Sequence, residues 1–135
     1  MRLEPLYRIR FDYPEHYVVR GPDTHGLFFA EGRCEGSVNG RFRGLNHPRL
    51  RRDDVYLPDF QGVIETDDGA TLAFDLRGRA RPTSDGREVV ATILHYTGDS
   101  RYEQLNDTLC VVCGIARRRD IELEVAELVW EPLSS

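Results

Sequence analysis

Phe60-Gln61-Gly62-Val63-Ile64-Glu65-Thr66-Asp67-Asp68-Gly69-Ala70-Thr71-Leu72-Ala73-Phe74-Asp75-Leu76-Arg77-Gly78-Arg79 decides the fold: two alternating runs joined by an Asp-Asp-Gly turn. Side chains alternate between the faces of a strand. Read as strands, the runs gather Phe60, Ile64, Leu72, Phe74 and Leu76 on one face. The other face carries Asp59, Gln61, Glu65, Asp75, Arg77 and Arg79. The prediction is a β-hairpin with one apolar and one densely ionic side.

Outward from this hairpin, strand character recurs in Leu6 to Tyr13, Leu27 to Ser37, Gly40 to Leu45, Tyr56 to Thr66, Ala70 to Ala80, Glu88 to Tyr96, Thr108 to Ala116 and Ile121 to Trp130, about eight strands. Tyr7, Ile9, Phe11 and Tyr13 oppose Arg8, Arg10 and Asp12 in the first, and Ile121, Leu123, Val125 and Val129 oppose Glu122 and Glu124 in the last. Asn39-Gly40 suits a two-residue type I′ turn, and Asp67-Asp68-Gly69 and Ser84-Asp85-Gly86 are further tight turns. Helical periodicity is confined to one turn within Ser100 to Asp107, and Asn46 to Val55 reads as an exposed loop. Regular strands with short links predict an all-β chain, a single domain over residues 1–135 built as an antiparallel β-barrel of about eight strands.

Composition narrows the chemistry. The 135 residues are 40% hydrophobic and 30% charged, with a formal net charge of −5. No run approaches the roughly 18 apolar residues of a membrane helix, and the start, Met1-Arg2-Leu3-Glu4-Pro5, has no apolar core behind a basic leader. Cytoplasmic location, with no membrane partner, is the expectation. Acidic balance and dispersed cations also argue against nucleic acid. All 18 basic residues are Arg, so Schiff-base chemistry and a P-loop, both of which require lysine, are excluded.

Cys34, Cys110 and Cys113 are too few for a disulfide framework. Cys110-Val-Val-Cys113 has redox spacing, but on a strand residues three apart face opposite sides about 10 Å apart, beyond disulfide reach. Two buried small side chains are expected instead. Gly32-Arg33-Cys34-Glu35-Gly36 matches a nucleophile elbow only formally, because an elbow needs a parallel α/β sheet.

Leu3-Glu4-Pro5-Leu6-Tyr7, Gly32-Arg33-Cys34-Glu35-Gly36 continuing to Gly40-Arg41-Phe42-Arg43-Gly44, then Thr66-Asp67-Asp68-Gly69-Ala70, Arg77-Gly78 and Tyr102-Glu103-Gln104-Leu105-Asn106 follow one another along most of the chain. In this order they resemble the family catalogued as domain of unknown function 3237. The resemblance implies a closed antiparallel β-barrel and carries no assigned activity. Where members of that family usually have a Gly-Gly-Ala-Asp-Trp segment, this chain has Asn46-His47-Pro48-Arg49-Leu50.

A barrel of this size has room for side chains or one small ligand. The ionic parity therefore either faces water or lines a cavity. Glu31, Arg33 and Glu35 repeat the alternation beside small Ala30, Gly32, Cys34 and Gly36. Charges that face inward must be paired or bind something. On the cavity reading, Glu65, Asp75 and His95 are the candidate proton carriers of a cofactor-free isomerase, cyclase or lyase. Arg33 and Arg77 would hold an anion, with Asp59, Arg79, Tyr96, Tyr102 and Asn106 completing a site for a small organic ligand. The alternatives are a carrier or sensor using the same groups without turnover, and a structural or interaction module with every charge outside. His16, His25 and His47 sit in turns without ligand spacing, so no metal and no other cofactor is expected. Leu128 and Trp130 offer an apolar outer face for a homodimer, and Trp130 is alternatively a plug for a barrel end.

Overall fold

In a computed structural model that describes residues 1–133, ten antiparallel strands form one sheet. They are β1 (Arg2–Arg20), β2 (Thr24–Gly36), β3 (Gly40–Asn46), β4 (Arg49–Leu50), β5 (Tyr56–Leu57), β6 (Asp59–Thr66), β7 (Thr71–Thr83), β8 (Gly86–Tyr96), β9 (Cys110–Arg117) and β10 (Asp120–Val129). The order β7-β6-β3-β2-β1-β10-β9-β8 returns to β7 through a β7–β8 pairing, so eight strands close into a barrel. The short pair β4–β5 hangs on β7 through Tyr56 opposite Ala80. The expected antiparallel barrel is the observed fold. Closure satisfies the ladder groups that an open sheet would leave unpaired.

Alternation decides which residues fill the interior. Buried Tyr7, Ile9 and Phe11 of β1 face the same volume as Phe60 and Ile64 of β6, Leu72, Phe74 and Leu76 of β7, and Ile121, Leu123 and Val125 of β10. At mid-height Phe11, Phe42, Phe60 and Phe74 form an aromatic layer with centroid separations of 4.8 to 5.8 Å, the range in which ring pairs attract. Gly44 and Gly62 stand opposite each other across β3 and β6. A Cβ on Gly62 would lie 2.8 Å from the Phe74 ring, so these glycines make room for the aromatic rings. The same holds at Gly32, where a Cβ would lie 2.4 Å from Phe11 Cβ.

Several local expectations change. The β1–β2 hairpin runs past the barrel as an arm, with Glu15 to Arg20 paired to Phe29 to Thr24, because β1 continues beyond Tyr13 after a register irregularity at Asp12/Glu15. Pro58 divides the predicted Tyr56 to Thr66 strand into β5 and β6, and part of the predicted loop at 46–55 is β4. No two-residue turn forms at Asn39-Gly40. Gly36 takes φ 132°, and the Asn39 side chain accepts from Gly36 N–H at 3.1 Å and donates to its C=O at 2.7 Å. Asp67-Asp68-Gly69 turns as predicted, with Gly69 at φ 94°. Cys110 and Cys113 do face opposite sides, but only Cys110 is buried and Cys113 is exposed. Trp130 is 76% exposed and plugs nothing. Among the described residues no helix is long and apolar enough to cross a membrane.

Candidate functional site

The two ends of the barrel differ. At one end the 3₁₀ helix Glu103–Asp107 inserts Leu105 into the core, and the chain turns of β2–β3 and β6–β7 lie on the same side. At the other end, the β4–β5 flap, the β7–β8 and β9–β10 turns and the β1–β2 arm surround an open mouth.

This mouth holds a cavity of about 370 Å³. Its floor is the aromatic layer, Phe11 and Phe60, with Leu76 and Leu123, and its walls include Phe28, Tyr56, Ala80 and Val89. Apolar walls of this size with a few polar groups are the usual make-up of a small-molecule site. Tyr13 Oη accepts a hydrogen bond from Asn46 Nδ2 at 3.1 Å, and Asn46 Oδ1 accepts from Asp59 N–H at 3.2 Å. Burial pushes the Tyr13 phenol up to about 12, so it is neutral, and its own proton has no acceptor among the described residues. Tyr13 is therefore a fixed donor beside an apolar chamber.

Arg87 holds the flap over the mouth. Its guanidinium lies 3.6 Å from the centroid of the Tyr56 ring and donates to the Asp54 carbonyl at 2.7 Å and carboxylate at 2.9 Å. Asp54 has φ 65°, a left-handed conformation that aspartate tolerates better than most side chains. Beside the cavity, and sharing Tyr13, Phe28 and Arg118 with it, lies a cleft lined by Asp12, His16 and Arg119.

The predicted site residues are not gathered there. Asp59, Glu65, Arg77 and Arg79 are exposed on the outer face and Asp75 is half-buried there, because the apolar parity of β6 and β7 took the interior. Three of them are linked on that outer face: Gln61 donates to Asp59 at 2.6 Å and to Asp75 at 2.9 Å, and Arg77 donates to Asp75 at 3.2 Å. The Gln61 bond, with help from Arg77, lowers Asp75 below the usual carboxylate range, opposite to what a raised proton carrier requires. Arg33 pairs with Asp67 outside the barrel. Tyr96 is 72% exposed. Tyr102 donates to Asp68 at 2.8 Å, and Asn106 bridges Thr97 N–H and C=O at 2.8 and 2.9 Å, a turn-stitching role.

His95 alone faces inward, at the closed end, where its Nε2 lies 2.5 Å from Tyr7 Oη. Burial lowers its pKa to about 4 and raises the Tyr7 phenol well above its ordinary value, so both are neutral at pH 7. Cys34 and Cys110, pushed up by burial to about 12 and about 11, are unreactive thiols in the same core. Among the described residues no group of three or more His, Cys, Asp and Glu side chains is arranged to hold a metal ion.

Sequence reasoning passed over Tyr13, Phe28, Asn46, Tyr56, Arg87 and Arg118. Tyr13 and Asn46 carried a usable signal, as the last inward members of the parities that begin at Tyr7 and Gly40. Arg87 and Tyr56 carried none, since the flap brings them together from 31 positions apart (87 minus 56).

No family model matches the chain, and no curated protein matches it. Solved structures do. A conserved protein of unknown function from Rhodopseudomonas palustris superposes with a TM-score of 0.83 at 15% identity, over 95% of this chain and 97% of that one. A β-barrel-like protein from Acinetobacter baumannii gives 0.83 at 19%, over 93% and 94%. A protein of unknown function from Clostridium acetobutylicum gives 0.86 at 16%, over 96% and 100%. At such identities the likeness is one of fold: this chain shares a β-barrel architecture with these proteins, two of which are described as of unknown function.

Proposed function

We propose that this barrel binds a small organic molecule in its open mouth, as a carrier or sensor and without chemistry. The observation that carries the reading is the chamber of about 370 Å³ whose aromatic floor and walls converge on the Tyr13 donor. A ligand there replaces water against Phe11, Phe28 and Phe60, and apolar area removed from water is worth about 25 cal/mol per Å² before the costs of association. No carboxylate of the described residues lines the chamber and the Tyr13 phenol is neutral, so the mouth supplies orientation and a hydrogen bond rather than a carboxylate proton carrier.

One observation favours a second reading, the cofactor-free acid/base enzyme. His95 Nδ1 is buried without a partner beside Tyr7 among the described residues, and a catalytic role is one of the few explanations for such an atom in a native structure. That chemistry requires substrate to pass the aromatic layer.

N-phenyl-1-naphthylamine, a neutral aromatic whose fluorescence rises in apolar surroundings, tests the first reading. Saturable binding is expected, at one molecule per chain. It is expected to be lost in Ala80→Phe and in Ala116→Phe, each of which fills the mouth from a different strand. Absence of binding, or binding unchanged in both variants when they melt as the parent does, would leave the interaction-module reading standing.

A further inference from the structure

The chain carries 23 acidic and 18 basic residues, yet the charges lining the mouth cavity are Arg87, Arg117 and Arg118, with no Asp or Glu among them. Low-dielectric walls concentrate the field of any cation left unpaired on such a rim. Two of these cations are already neutralised. Arg87 holds Asp54 at 2.9 Å, and Arg117 holds Asp85 at 2.6 Å. Arg118 has no ion-pair partner among the described residues and borders both the cavity and the neighbouring cleft. In that cleft Arg119 adds a second cation, and the one carboxylate is Asp12, whose side chain makes no ion pair with either.

From this asymmetry we infer that the ligand is an organic anion, an aromatic or aliphatic acid whose apolar body enters the mouth while its charged group is held at the rim by Arg118. The inference rests on the binding reading above and narrows it to a chemical class. A planar guanidinium with free N–H donors suits a carboxylate or sulfonate, which it can engage through two parallel hydrogen bonds. Tyr13 on the wall has a proton to give to the same group or to a polar substituent on the body. The geometry also explains why the free arginine stands on the β9–β10 turn. There the cation stays hydrated at the rim until a ligand arrives, so no buried charge burdens the empty barrel.

Two probes with the same ring system separate the inference from the reading it rests on: 8-anilinonaphthalene-1-sulfonate, an anion, and N-phenyl-1-naphthylamine, which lacks the sulfonate. The intact protein is expected to bind the anion about ten-fold more tightly. Arg118→Gln is expected to bring the two affinities together while leaving the neutral probe within about two-fold of its parent value. A second measurement needs no variant: raising salt toward about 1 M weakens the anionic probe alone, since screening acts on the charge contact. Binding of both probes with equal affinity overturns the inference and leaves the mouth a site for neutral molecules, and an anionic preference untouched by both Arg118→Gln and salt overturns the charge contact at Arg118. Failure of both probes to bind overturns the site as well.

Discussion

Tyr7 Oη and His95 Nε2 meet at 2.5 Å inside the closed half of the barrel, and His95 Nδ1 has no hydrogen-bond partner among the described residues. With the phenol held neutral by burial, its O–H donates to Nε2, which leaves the ring proton on the orphaned Nδ1. The pair joins β1 to β8 across the interior, and its two members fail separately. Tyr7→Phe strips His95 of its one partner and is expected to cost about 1–3 kcal/mol. Tyr7→Phe with His95→Leu removes both polar groups and is expected to cost less than the two single substitutions added together. A double-mutant cycle from urea unfolding checks this, and additive costs would mean the hydrogen bond contributes nothing.

His95 also sets a pH dependence. Its pKa, near 6.5 in the unfolded chain, falls to about 4 in the barrel, so between these values the unfolded state binds more protons. The stabilisation is complete above pH 6.5 and is lost as pH falls toward 4, by about 3 kcal/mol over the window. Asp99, held near 2 by Arg101, loses its contribution only below its ordinary range, under the histidine window. Unfolding free energies from pH 7 to pH 4 are expected to flatten in His95→Leu, and an unchanged slope would assign the effect elsewhere.

The aromatic layer is the floor of the mouth and the centre of the core at once. Phe42 is fully buried against Phe11, Phe60 and Phe74, so Phe42→Ala is expected to cost about 3–5 kcal/mol. Tyr96→Ala, on the outer surface of β8, is expected to stay within about 0.5 kcal/mol of the parent. Thermal melts of the two variants give the comparison directly.

Gly62→Ala is expected to prevent folding or to collapse the melting temperature. Its Cβ would sit 2.0 Å from the Arg43 carbonyl oxygen and 2.6 Å from Gly44 Cα, both backbone atoms that cannot step aside. Gly98→Ala, where a Cβ meets nothing within 4 Å, is the control expected to melt as the parent does.

The outer ionic network is expected to be irrelevant to ligand. Glu65→Gln and Asp75→Asn should leave the affinity for N-phenyl-1-naphthylamine within about two-fold of the parent, and a larger loss in either would place the site outside the mouth.

Alternation made the barrel legible. Phe60, Ile64, Leu72, Phe74 and Leu76 share a parity, and period two admits one arrangement once a core is needed. The same rule left open which way a charged parity faces, since Asp75 and Arg77 alternate identically whether they line a cavity or meet water. Packing resolved it: glycines at 44 and 62 leave space that Phe74 fills from the inside. The mouth was less legible because it is assembled across long separations. Arg87 reaches Tyr56 only after β7 and β8 pair, and Arg118 comes to line one cavity with Tyr13 and Phe28 only when β10 pairs with β1. His95, a candidate proton carrier from the sequence, faces inward as the inner parity of β8 requires, but its partner Tyr7 lies 88 residues earlier and no local pattern announces it.

Closure ties Arg2–Phe11 of β1 to Ile121–Val129 of β10. On a ribosome, β1 waits for β10, and until then its inward row of Tyr7, Ile9 and Phe11 has β2 on one side and no β10 on the other. Pairings so distant in sequence make for slow folding. A cell making this protein therefore holds, for the length of each synthesis, an unfinished sheet with two open edges. Any chaperone dependence in vivo is expected to act in that interval, and shortening the chain before Ile121 would make the vulnerable state permanent.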